Sequence, residues 1–437
     1  MRVEIQEGPV YSRIDRPELV SRLLSYDKVW WEQGPYSKVR RSFRKGLVTK
    51  KGRFLSGFLS RVVEFLEMKG HEVVVHGSSS SSGELPELPG IEFREDQEKA
   101  LRTILASDRG VWTAPTGSGK TILIAALVKA YSGSTIVVLV HTKALLKQTM
   151  EELEKFGLAD DYVDVRMKQS FSNAIGDLNP GYYRVVIVDE AHHVSSFDGQ
   201  YARILRHLEA SVRIGFTATT YEERSEAHMA MEGLLGPVLG ATTYREVSHM
   251  LARPRMKFVR VPDLAYEQKK KLRGRYKEVY EGGIVRNRKR NQLIVEEAER
   301  CVGDGRSVLI MVEQLEHGRL LLELLEVAMP GTFAFICAED GDEKLDRETR
   351  DFKSGKRKGI VSSRIWGEGV NIKRITAVIN AVGGKSEIAS IQRFGRGLRS
   401  DEGKTDVLLI DFLDTNHSYF QRHSIERLCF YSEVGWI

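Results

Sequence analysis

The segment GVWTAPTGSGKT, residues 110–121, decides the fold of this 437-residue chain. Its apolar start, GVWT, predicts a buried β-strand, and the run TILIAALVKAY at 121–131 predicts a helix. The glycine-rich turn between them matches the pattern G-x-x-x-x-G-K-[ST], except that Ala114 stands in the first position. Glycines let main-chain N–H groups curl around a phosphate, and the helix N-terminus adds a favourable dipole. The segment therefore predicts a loop that binds nucleotide phosphates.

Two side chains at the start of the helix complete the predicted site. The ammonium of Lys120 can reach the β- and γ-phosphates, and the hydroxyl of Thr121 can bind Mg²⁺. ATP and Mg²⁺ are therefore the predicted cofactors. The predicted nucleotide-binding residues of the loop are Thr116, Gly117, Ser118, Gly119, Lys120 and Thr121.

A second apolar run, Val185–Val188, is followed directly by the polar sequence DEAHH at 189–193. Ligands of open α/β sheets bind at the carboxyl ends of the strands, which places these carboxylates where a nucleotide would lie. Asp189 is predicted to hold Mg²⁺ through its water shell, and Glu190 to polarise the attacking water. Adjacent histidines point apart and no third ligand follows, so no metal is assigned to them. His192 is instead predicted to be a polar coupling residue.

The pattern of apolar runs predicts the domain organisation. From residue 91 onward, short apolar runs alternate with helical stretches, which favours the α/β class with parallel sheets covered by helices. The runs predicted as strands are 110–113, 136–140, 185–188, 213–216, 256–261, 307–311, 359–361, 377–379 and 407–410, with the first four in one lobe and the last four in the other. The length predicts two doubly wound lobes, at 91–250 and 251–437. Residues 1–77 combine the strand-like runs VEIQ, GLVT and EVVVH with a helical run, and predict a small α+β domain. The Ser-, Pro- and Gly-rich segment 78–90 is predicted to be a flexible linker.

The composition excludes several classes of protein. Hydrophobic residues make up 41% and charged residues 29% of the chain, which is typical of a globular protein. No apolar run approaches the ~18 residues of a membrane-spanning helix, and the first residues lack the apolar region of a signal peptide. Three scattered cysteines are too few for a disulfide framework or a zinc site. We therefore expect an intracellular (cytoplasmic) protein with no membrane partner and no structural metal. We also expect it to be monomeric.

The basic charge is concentrated near the N-terminus. Residues 1–77 contain 15 Lys and Arg against 9 Asp and Glu, whereas the rest of the chain is balanced. Such asymmetry suggests a polyanion partner, although a solvated basic face would give the same count. A second basic segment, 253–290, has 14 Lys and Arg against 4 acidic residues and could line a duplex-contacting face or form a solvated hairpin.

Four segments together resemble the motifs of superfamily 2 helicases and translocases: APTGSGKT, DEAHH, GFTAT at 215–219 and QRFGRGLR at 392–399. The resemblance covers residues 91–437 and implies two RecA-like lobes with ATP in the cleft between them. Within the superfamily, the segment GEGVNI and the closing QRFGRGLRS are most similar to the phage UvsW-type DNA helicases. Those helicases are distantly similar to XPB-like and RecG-like motors. If this chain is phage-encoded, the expected compartment is the host cytoplasm.

The resemblance assigns roles to further residues of the first lobe. It implies that Arg94 and Gln97 read the adenine, and that Thr217 and Thr219 couple hydrolysis to movement of the lobes. Nucleic-acid contacts are implied for His141, Thr142, Gln148, Lys168 and Gln169.

In the second lobe, Ser363 is implied to contact nucleic acid, and Gly369 and Asn371 to contact ATP. The family often carries a carboxylate at the position of Asn371, so this chain departs from the pattern there. Catalytic roles are implied for Gln392, Arg396 and Arg399. The two arginines are three residues apart on one helix face, where they would stabilise charge on the γ-phosphate when the lobes close.

UvsW-type helicases carry a small N-terminal DNA-binding domain, and the basic domain of this chain is consistent with one. Aromatic residues interleaved with basic ones suit strand stacking or a fork-splitting wedge, although each aromatic taken singly could belong to the core. The DNA-binding residues implied in this domain are Lys38, Arg40, Arg41, Arg44 and Lys45.

The resemblance implies an ATP-dependent DNA helicase or translocase that unwinds and branch-migrates forks and four-way junctions in recombination, replication or repair. Branched or forked DNA is the implied partner. Two alternatives remain open. One is an RNA helicase or remodeller, and the other is an ATP-hydrolysing duplex-DNA translocase or clamp that does not separate strands.

Overall fold

The structure is a computed structural model and describes residues 1–33, 38–77, 84–115, 117–219, 221–243, 246–247, 253–272, 274–337, 339–363, 374–384, 406–433 and 435–437. The chain divides into two compact units. The first comprises Met1–Pro115 and Gly119–Thr242, and the second contains Thr243–Ile437.

The N-terminal part of the first unit mixes strands and helices, which confirms the predicted small α+β region. Its elements are β1 (Arg2–Gln6), β2 (Tyr11–Ile14), α1 (Pro17–Val20), β3 (Ser25–Gln33), β4 (Lys38–Gly46), β5 (Arg53–Leu55), α2 (Leu59–Met68) and β6 (Glu72–His76). Four strands form a sheet in the order β5-β2-β1-β6, in which β1 pairs parallel with β6 and antiparallel with β2. The remaining two, β3 and β4, pair with each other as an antiparallel hairpin.

The prediction that the run GLVT forms a strand is wrong. Leu47 and Val48 lie in the turn after β4 and pack, partly buried, against the apolar core. Their hydrophobic character therefore reflects core packing and not the pairing of strands. The hairpin β3–β4 was not predicted, because its strands carry many charged residues and show no alternation of buried and polar positions.

The N-terminal sheet packs directly on the lobe that follows it. Val3 and Phe58 belong to the same buried core as Val188 and Leu235. Burial of apolar surface against a common core makes separate movement of the two parts costly. The predicted flexible linker stays a prediction, since residues 78–83 lie outside the described ranges. In its second half, Leu88 is buried in the core of the lobe.

This lobe is a six-stranded parallel sheet in the order β12-β7-β11-β10-β8-β9. Its elements are α3 (Glu95–Leu105), β7 (Arg109–Thr113), α4 (Lys120–Ala130), β8 (Ile136–Val140), α5 (Lys143–Lys155), β9 (Val163–Met167), α6 (Lys168–Ala174), β10 (Val185–Asp189), α7 (Gln200–His207), β11 (Val212–Thr217), α8 (Glu226–Leu235) and β12 (Val238–Ala241). The four predicted strands are confirmed as β7, β8, β10 and β11. The edge strand β9 was missed because its sequence, VDVRM, alternates polar and apolar residues. The edge strand β12 was missed because it is only four residues long, contains a glycine and is partly exposed.

The second unit contains another six-stranded parallel sheet, in the order β13-β18-β17-β14-β16-β15. Its elements are β13 (Arg253–Arg260), α9 (Tyr266–Lys271), α10 (Tyr276–Tyr280), α11 (Arg288–Gly303), β14 (Val308–Met311), α12 (Leu315–Ala328), β15 (Phe333–Ile336), α13 (Asp342–Ser354), β16 (Gly359–Ser362), β17 (Ala377–Asn380), β18 (Asp406–Leu413) and α14 (Ser418–Glu433). The predicted α/β class with two RecA-like parallel-sheet lobes is therefore confirmed.

A buried ionic cluster fixes α14 to the end of this sheet. Asp411, in β18, accepts hydrogen bonds from Arg427 Nε at 2.8 Å and from the Tyr431 hydroxyl at 2.6 Å. Both charged side chains are about 1% exposed. Asn380, the last residue of β17, donates to the other oxygen of Asp411 at 3.3 Å. The cluster thus ties two strands and a helix together with fully desolvated charges.

Candidate nucleotide site and nucleic-acid contacts

The loop between β7 and α4 has the backbone that phosphate binding requires. Gly117 and Gly119 both have φ of 88°, a left-handed conformation that side chains rarely adopt. A Cβ on Gly119 would lie 2.8 Å from Nε2 of Gln97, so a larger residue would fill the space above the loop. Gly119 is the N-cap of α4, and Ser118 lies between the two glycines. The residues present therefore fit a phosphate group at a helix N-terminus.

The sheet places the acidic residues beside this loop. Strand β11 lies between β7 and β10, and all three run parallel. Thr113 at the end of β7 pairs in register with Thr217, and Asp189 pairs with Phe216. The phosphate loop, Thr217 and the DEAHH segment consequently meet at one carboxyl edge, where ligands of such sheets bind.

The charged side chains of the two motifs are in contact. Lys120 Nζ lies 3.6 Å from Glu190 Oε1, and these side chains are 12% and 17% exposed. The ammonium has no hydrogen-bond partner among the described residues. Partly desolvated donors of this kind suit a phosphate oxygen, because an unsatisfied buried donor is costly. Thr121 is the second residue of α4 and half-buried beside Lys120.

The two adjacent carboxyl groups have opposite pKa shifts. Burial, followed by the negative charge of Glu190, raises the pKa of Asp189 to about 6. Burial also acts to raise the pKa of Glu190, but the ammonium of Lys120 and the hydrogen bond from His192 hold it below its usual range. Glu190 is therefore the more acidic carboxyl of the pair. A divalent cation at Asp189 would favour the charged form of that carboxyl as well, so the donor set fits Mg²⁺.

Glu190 is held in an unusual backbone conformation. Its φ of 54° and ψ of 52° are left-handed, which is rare for a residue with a side chain. Its N–H donates to Asp189 Oδ1 at 2.9 Å, and a 3-10 turn, Ala191–His193, follows. Strain of this kind persists where the surroundings determine the conformation, and it is concentrated at functional sites.

The three predicted coupling residues are connected to Glu190. His192 Nδ1 lies 3.2 Å from Thr217 Oγ1 and 3.3 Å from Glu190 Oε2. The Thr217 hydroxyl donates to the carbonyl of Thr219 at 2.9 Å. All three residues are less than 10% exposed. A change at Glu190 can therefore pass through the His192 ring, which contacts it, to Thr217 at the end of β11.

His193 was not predicted to have a role, yet it connects two motifs. Its ring stacks on that of His141, with centroids 3.6 Å apart and planes 12° from parallel. His141 follows β8 and was predicted to contact nucleic acid. The contact joins the end of β8 to the DEAHH segment. The repeated histidine was visible in the sequence, but its stacking partner could be found only from the order of the strands.

The predicted adenine-reading residues lie at the start of α3. Arg94 donates from Nε and Nη2 to the carboxylate of Asp96, at 2.9 and 3.0 Å, and Gln97 Oε1 accepts from the Arg94 N–H at 3.2 Å. Gln97 is 2% exposed, and its Nε2 has no hydrogen-bond partner within the described part of the chain. That amide faces Gly119 and is available to an acceptor on a nucleotide. Asp96, which orients Arg94, was not singled out from the sequence.

Four of the predicted nucleic-acid contacts follow neighbouring strands. His141 and Thr142 come after β8, and Lys168 and Gln169 come after β9. Since Val140 pairs in register with Met167, the two groups share one edge of the sheet. Thr142 caps α5, because its Oγ1 accepts from the Leu145 N–H at 3.2 Å. Gln148 is half-buried one turn further along α5, and Lys168 Nζ lies 5.4 Å from the ring centroid of Tyr201.

Most predicted site residues of the second lobe lie outside the described ranges. Ser363 directly follows β16 and is 5% exposed, with its N–H donating to the Ile336 carbonyl at 3.2 Å. The predicted residues outside the described ranges are Thr116, Gly369, Asn371, Gln392, Arg396 and Arg399.

The predicted basic residues of the N-terminal domain all lie on β4. Arg41 and Arg44 are exposed and form ion pairs across the hairpin, with Glu32 at 2.9 Å and with Asp27 at 3.4 Å. Lys45 is half-buried. The backbones of Lys38 and Arg40 pair in register with Gln33 and Trp31.

The basic segment 253–290 is not a hairpin in its described residues. It consists of β13, two short helices, a π-helical turn and the start of α11. Arg290 is fully buried, donating to Asp414 at 2.9 Å and to the Ala381 carbonyl at 2.8 Å. Lys257 pairs with Glu297 at 2.6 Å. Both side chains stabilise the lobe, and Arg290, which is fully buried, is removed from any nucleic-acid surface.

The described residues contain no helix that is both long enough and apolar enough to cross a membrane.

Two family models match the chain. The one described as "Type III restriction enzyme, res subunit" matches residues 90–222, which include the phosphate loop and the DEAHH segment. The one described as "Helicase conserved C-terminal domain" matches residues 289–401. Together the two matches cover more than half of the chain.

Individual relatives are similar over most of their length. The chain is 25% identical over 369 residues to DNA 3'-5' translocase XPB2 of Sulfurisphaera tokodaii, covering 74% of this chain and 82% of that protein. It is 23% identical over 396 residues to the ATP-dependent DNA helicase uvsW of Enterobacteria phage T4, covering 77% and 74%. Among solved structures, S. cerevisiae Dbp5 bound to RNA and ADP BeF3 has a TM-score of 0.56 at 16% identity, covering 78% of this chain and 88% of that one. That likeness shows the shared fold.

Proposed function

This chain belongs to the superfamily 2 helicases, and we propose that it is an ATP-dependent DNA helicase or translocase that unwinds and branch-migrates branched DNA. One observation carries the ATPase part of the proposal. The Lys120 ammonium and the Glu190 carboxylate lie 3.6 Å apart at the carboxyl edge of the first sheet. A phosphate-binding cation and a carboxylate that can polarise water are thereby held side by side next to the phosphate loop.

Each residue of the edge has a proposed part in hydrolysis. ATP with Mg²⁺, when bound, supplies the phosphoanhydride to be cleaved, with Thr121 and Asp189 as the residues that would hold the metal. Lys120 binds phosphate oxygens and stabilises the charge that develops on them. Glu190, which its lowered pKa keeps ionised, orients the attacking water and polarises it.

The coupling residues are proposed to transmit the conformational change caused by ATP hydrolysis to the residues that contact nucleic acid. His192 contacts both Glu190 and Thr217, so a change in the charge or position of the Glu190 carboxylate can shift Thr217 at the end of β11. His193 stacks on His141, the first of the proposed strand contacts. Positioned networks of this kind have two discrete arrangements that a ligand can favour unequally. The second lobe is proposed to contribute Gln392, Arg396 and Arg399 to catalysis.

The choice of DNA is supported by the names of two relatives and by charge, and branched DNA is what the resemblance to UvsW-type helicases implies. XPB2 and uvsW carry DNA translocase and DNA helicase in their names. The excess of Lys and Arg over Asp and Glu lies within residues 1–77, which we propose as the nucleic-acid-binding domain preceding lobes at 91–250 and 251–437. Binding to phosphates suits a translocating motor, because phosphate contacts do not depend on the base sequence.

Nucleic-acid stimulation of ATP turnover by the full-length chain tests this function. The substrates are single-stranded, linear duplex, forked and four-way DNA of equal nucleotide content, with the RNA equivalents of each. We expect forked and four-way DNA to stimulate most, linear duplex DNA less, and RNA least. Stimulation by duplex RNA without stimulation by branched DNA would show that the RNA alternative is correct.

A further inference from the structure

We propose that one face of the hairpin β3–β4 is a stacking site for the unpaired bases of a single nucleic-acid strand. The site consists of Trp30 and Phe43, with Lys28 and Arg41 beside them. It deepens the proposed function, because it rests on nucleic acid being the substrate and names the form of that substrate which this surface binds.

The pairing of the hairpin places the four side chains on one face. Lys28 is directly opposite Phe43, and Trp30 is directly opposite Arg41. Opposite residues of an antiparallel pair point to the same side, and so do residues two apart along a strand. The rings of Trp30 and Phe43 meet edge to face, with centroids 5.7 Å apart and planes 71° from parallel.

The two rings are exposed although the same face is buried at its base. Trp30 is 43% and Phe43 is 49% exposed, whereas Tyr26, four residues before Trp30 in β3, is 2% exposed. Tyr26 belongs to the apolar core of the unit, and the two exposed rings do not. Two adjacent exposed rings form a small apolar patch on this hairpin, and exposed apolar patches are where soluble proteins bind their partners.

The charge around the rings selects a polyanion as the ligand. Residues 28–53 contain nine Lys and Arg and one acidic residue, Glu32. Arg41 is paired with Glu32, but both side chains are more than half exposed, so this ion pair is weak and screened. A phosphate next to a stacked base can therefore replace Glu32 as the partner of the Arg41 guanidinium. Bases in a continuous duplex have both faces covered, so the surface fits an unpaired strand.

The hairpin is fixed at its base to the first lobe. The Tyr26 hydroxyl donates to Glu226 Oε1, at the start of α8, at 3.1 Å. The Tyr26 ring stacks on Phe197, with centroids 5.7 Å apart. Phe197 follows the DEAHH segment by four residues and its carbonyl accepts from Arg206 at 2.9 Å. A strand stacked on the hairpin is thus held in a fixed position relative to the lobe that contains the candidate ATP site.

The test is the affinity of the full-length chain for a fluorescein-labelled thymidine oligonucleotide and for a blunt duplex of the same length, over a range of salt concentrations. Trp30→Ala and Phe43→Ala are each expected to weaken single-strand binding about 5- to 100-fold, the range for loss of one stacked base. The affinity of each variant for the duplex is expected to stay within twofold of that of the unaltered chain. The salt dependence of binding to the oligonucleotide and to the duplex is also expected to stay within twofold. Trp30→Phe and Phe43→Trp, which keep a ring, are expected to restore most of the affinity.

The matched control is Tyr162→Ala. Tyr162 is 57% exposed in the same unit. It precedes β9 at the amino ends of the strands, whereas the proposed strand contacts follow the carboxyl ends. Trp30→Leu keeps apolar volume without a ring and provides a second variant if alanine disturbs folding. Unchanged single-strand affinity in these variants, or an equal loss on duplex and single strand, would overturn the stacking site. Absence of any nucleic-acid binding by the unaltered chain would instead refute the proposed function.

Discussion

Replacing Lys120 by alanine is expected to lower the rate of ATP hydrolysis by about 10²- to 10³-fold or more, the loss that follows removal of one charge-stabilising donor. The reason is local. Lys120 Nζ is a poorly solvated donor at the phosphate loop, 3.6 Å from the carboxylate of Glu190. Without it, phosphate oxygens lose their cation, and Glu190 loses the charge that helps keep its pKa low. Steady-state phosphate release measures the effect.

The control for this variant lies on the same helix. Lys129, in the last turn of α4, is exposed and ten residues from the phosphate loop. Lys129→Ala removes the same charge from the chain and is expected to leave hydrolysis within twofold. Nucleic-acid binding should persist in Lys120→Ala, because its proposed contacts follow β8 and β9. A Lys120→Ala protein that hydrolyses ATP at the rate of the unaltered chain would contradict the assignment of the loop.

Removing Asp411 is expected to destabilise the second lobe by about 3–5 kcal/mol, the cost of leaving one partner of a buried ion pair uncompensated. In the unaltered chain, the side chains of Asp411 and Arg427 are both about 1% exposed. Asp411→Ala would leave the guanidinium of Arg427 buried and charged without its carboxylate partner. The hydroxyl of Tyr431 would lose its acceptor as well. Hydrogen exchange of the β17 and β18 amides in the full-length chain measures the local stability, and exchange should accelerate.

Glu339→Ala is the matched control in the same unit. Glu339 pairs with Arg319 at 3.0 Å, but both side chains are 62% exposed. Exposed pairs of this kind contribute about 0–1 kcal/mol, so exchange of the same amides should hardly change. Equal effects of the two substitutions would show that Asp411 is not the fixed point that its contacts indicate.

The sequence predicted the central parts of both sheets because buried parallel strands are continuous apolar runs. Val185–Val188 and Ile136–Val140 are fully buried and were found as such. The edge strand β9 was missed, since its alternating VDVRM is half-buried. The hairpin β3–β4 was missed for a related reason. Beyond Ser25 and Tyr26 at its base, its described side chains are not buried, so neither a two-residue nor a helical period of burial is present.

The candidate nucleotide site was predictable where one local segment supplies the geometry. The glycines of the phosphate loop and the acidic end of β10 are of this kind. The contacts of His192 with Thr217 and of His193 with His141 depend on the order of the strands, which alternation of elements leaves open. The charge count also misled for Arg290, which is basic in sequence but is buried and paired with Asp414.

ATP-dependent migration of a mobile four-way DNA junction tests the central claim most directly. The unaltered full-length chain should convert the junction into forked duplex products when ATP and Mg²⁺ are present. Conversion should be absent without ATP and absent for Lys120→Ala. An intact junction in the presence of brisk DNA-stimulated ATP hydrolysis would contradict the account, and so would conversion that needs no ATP.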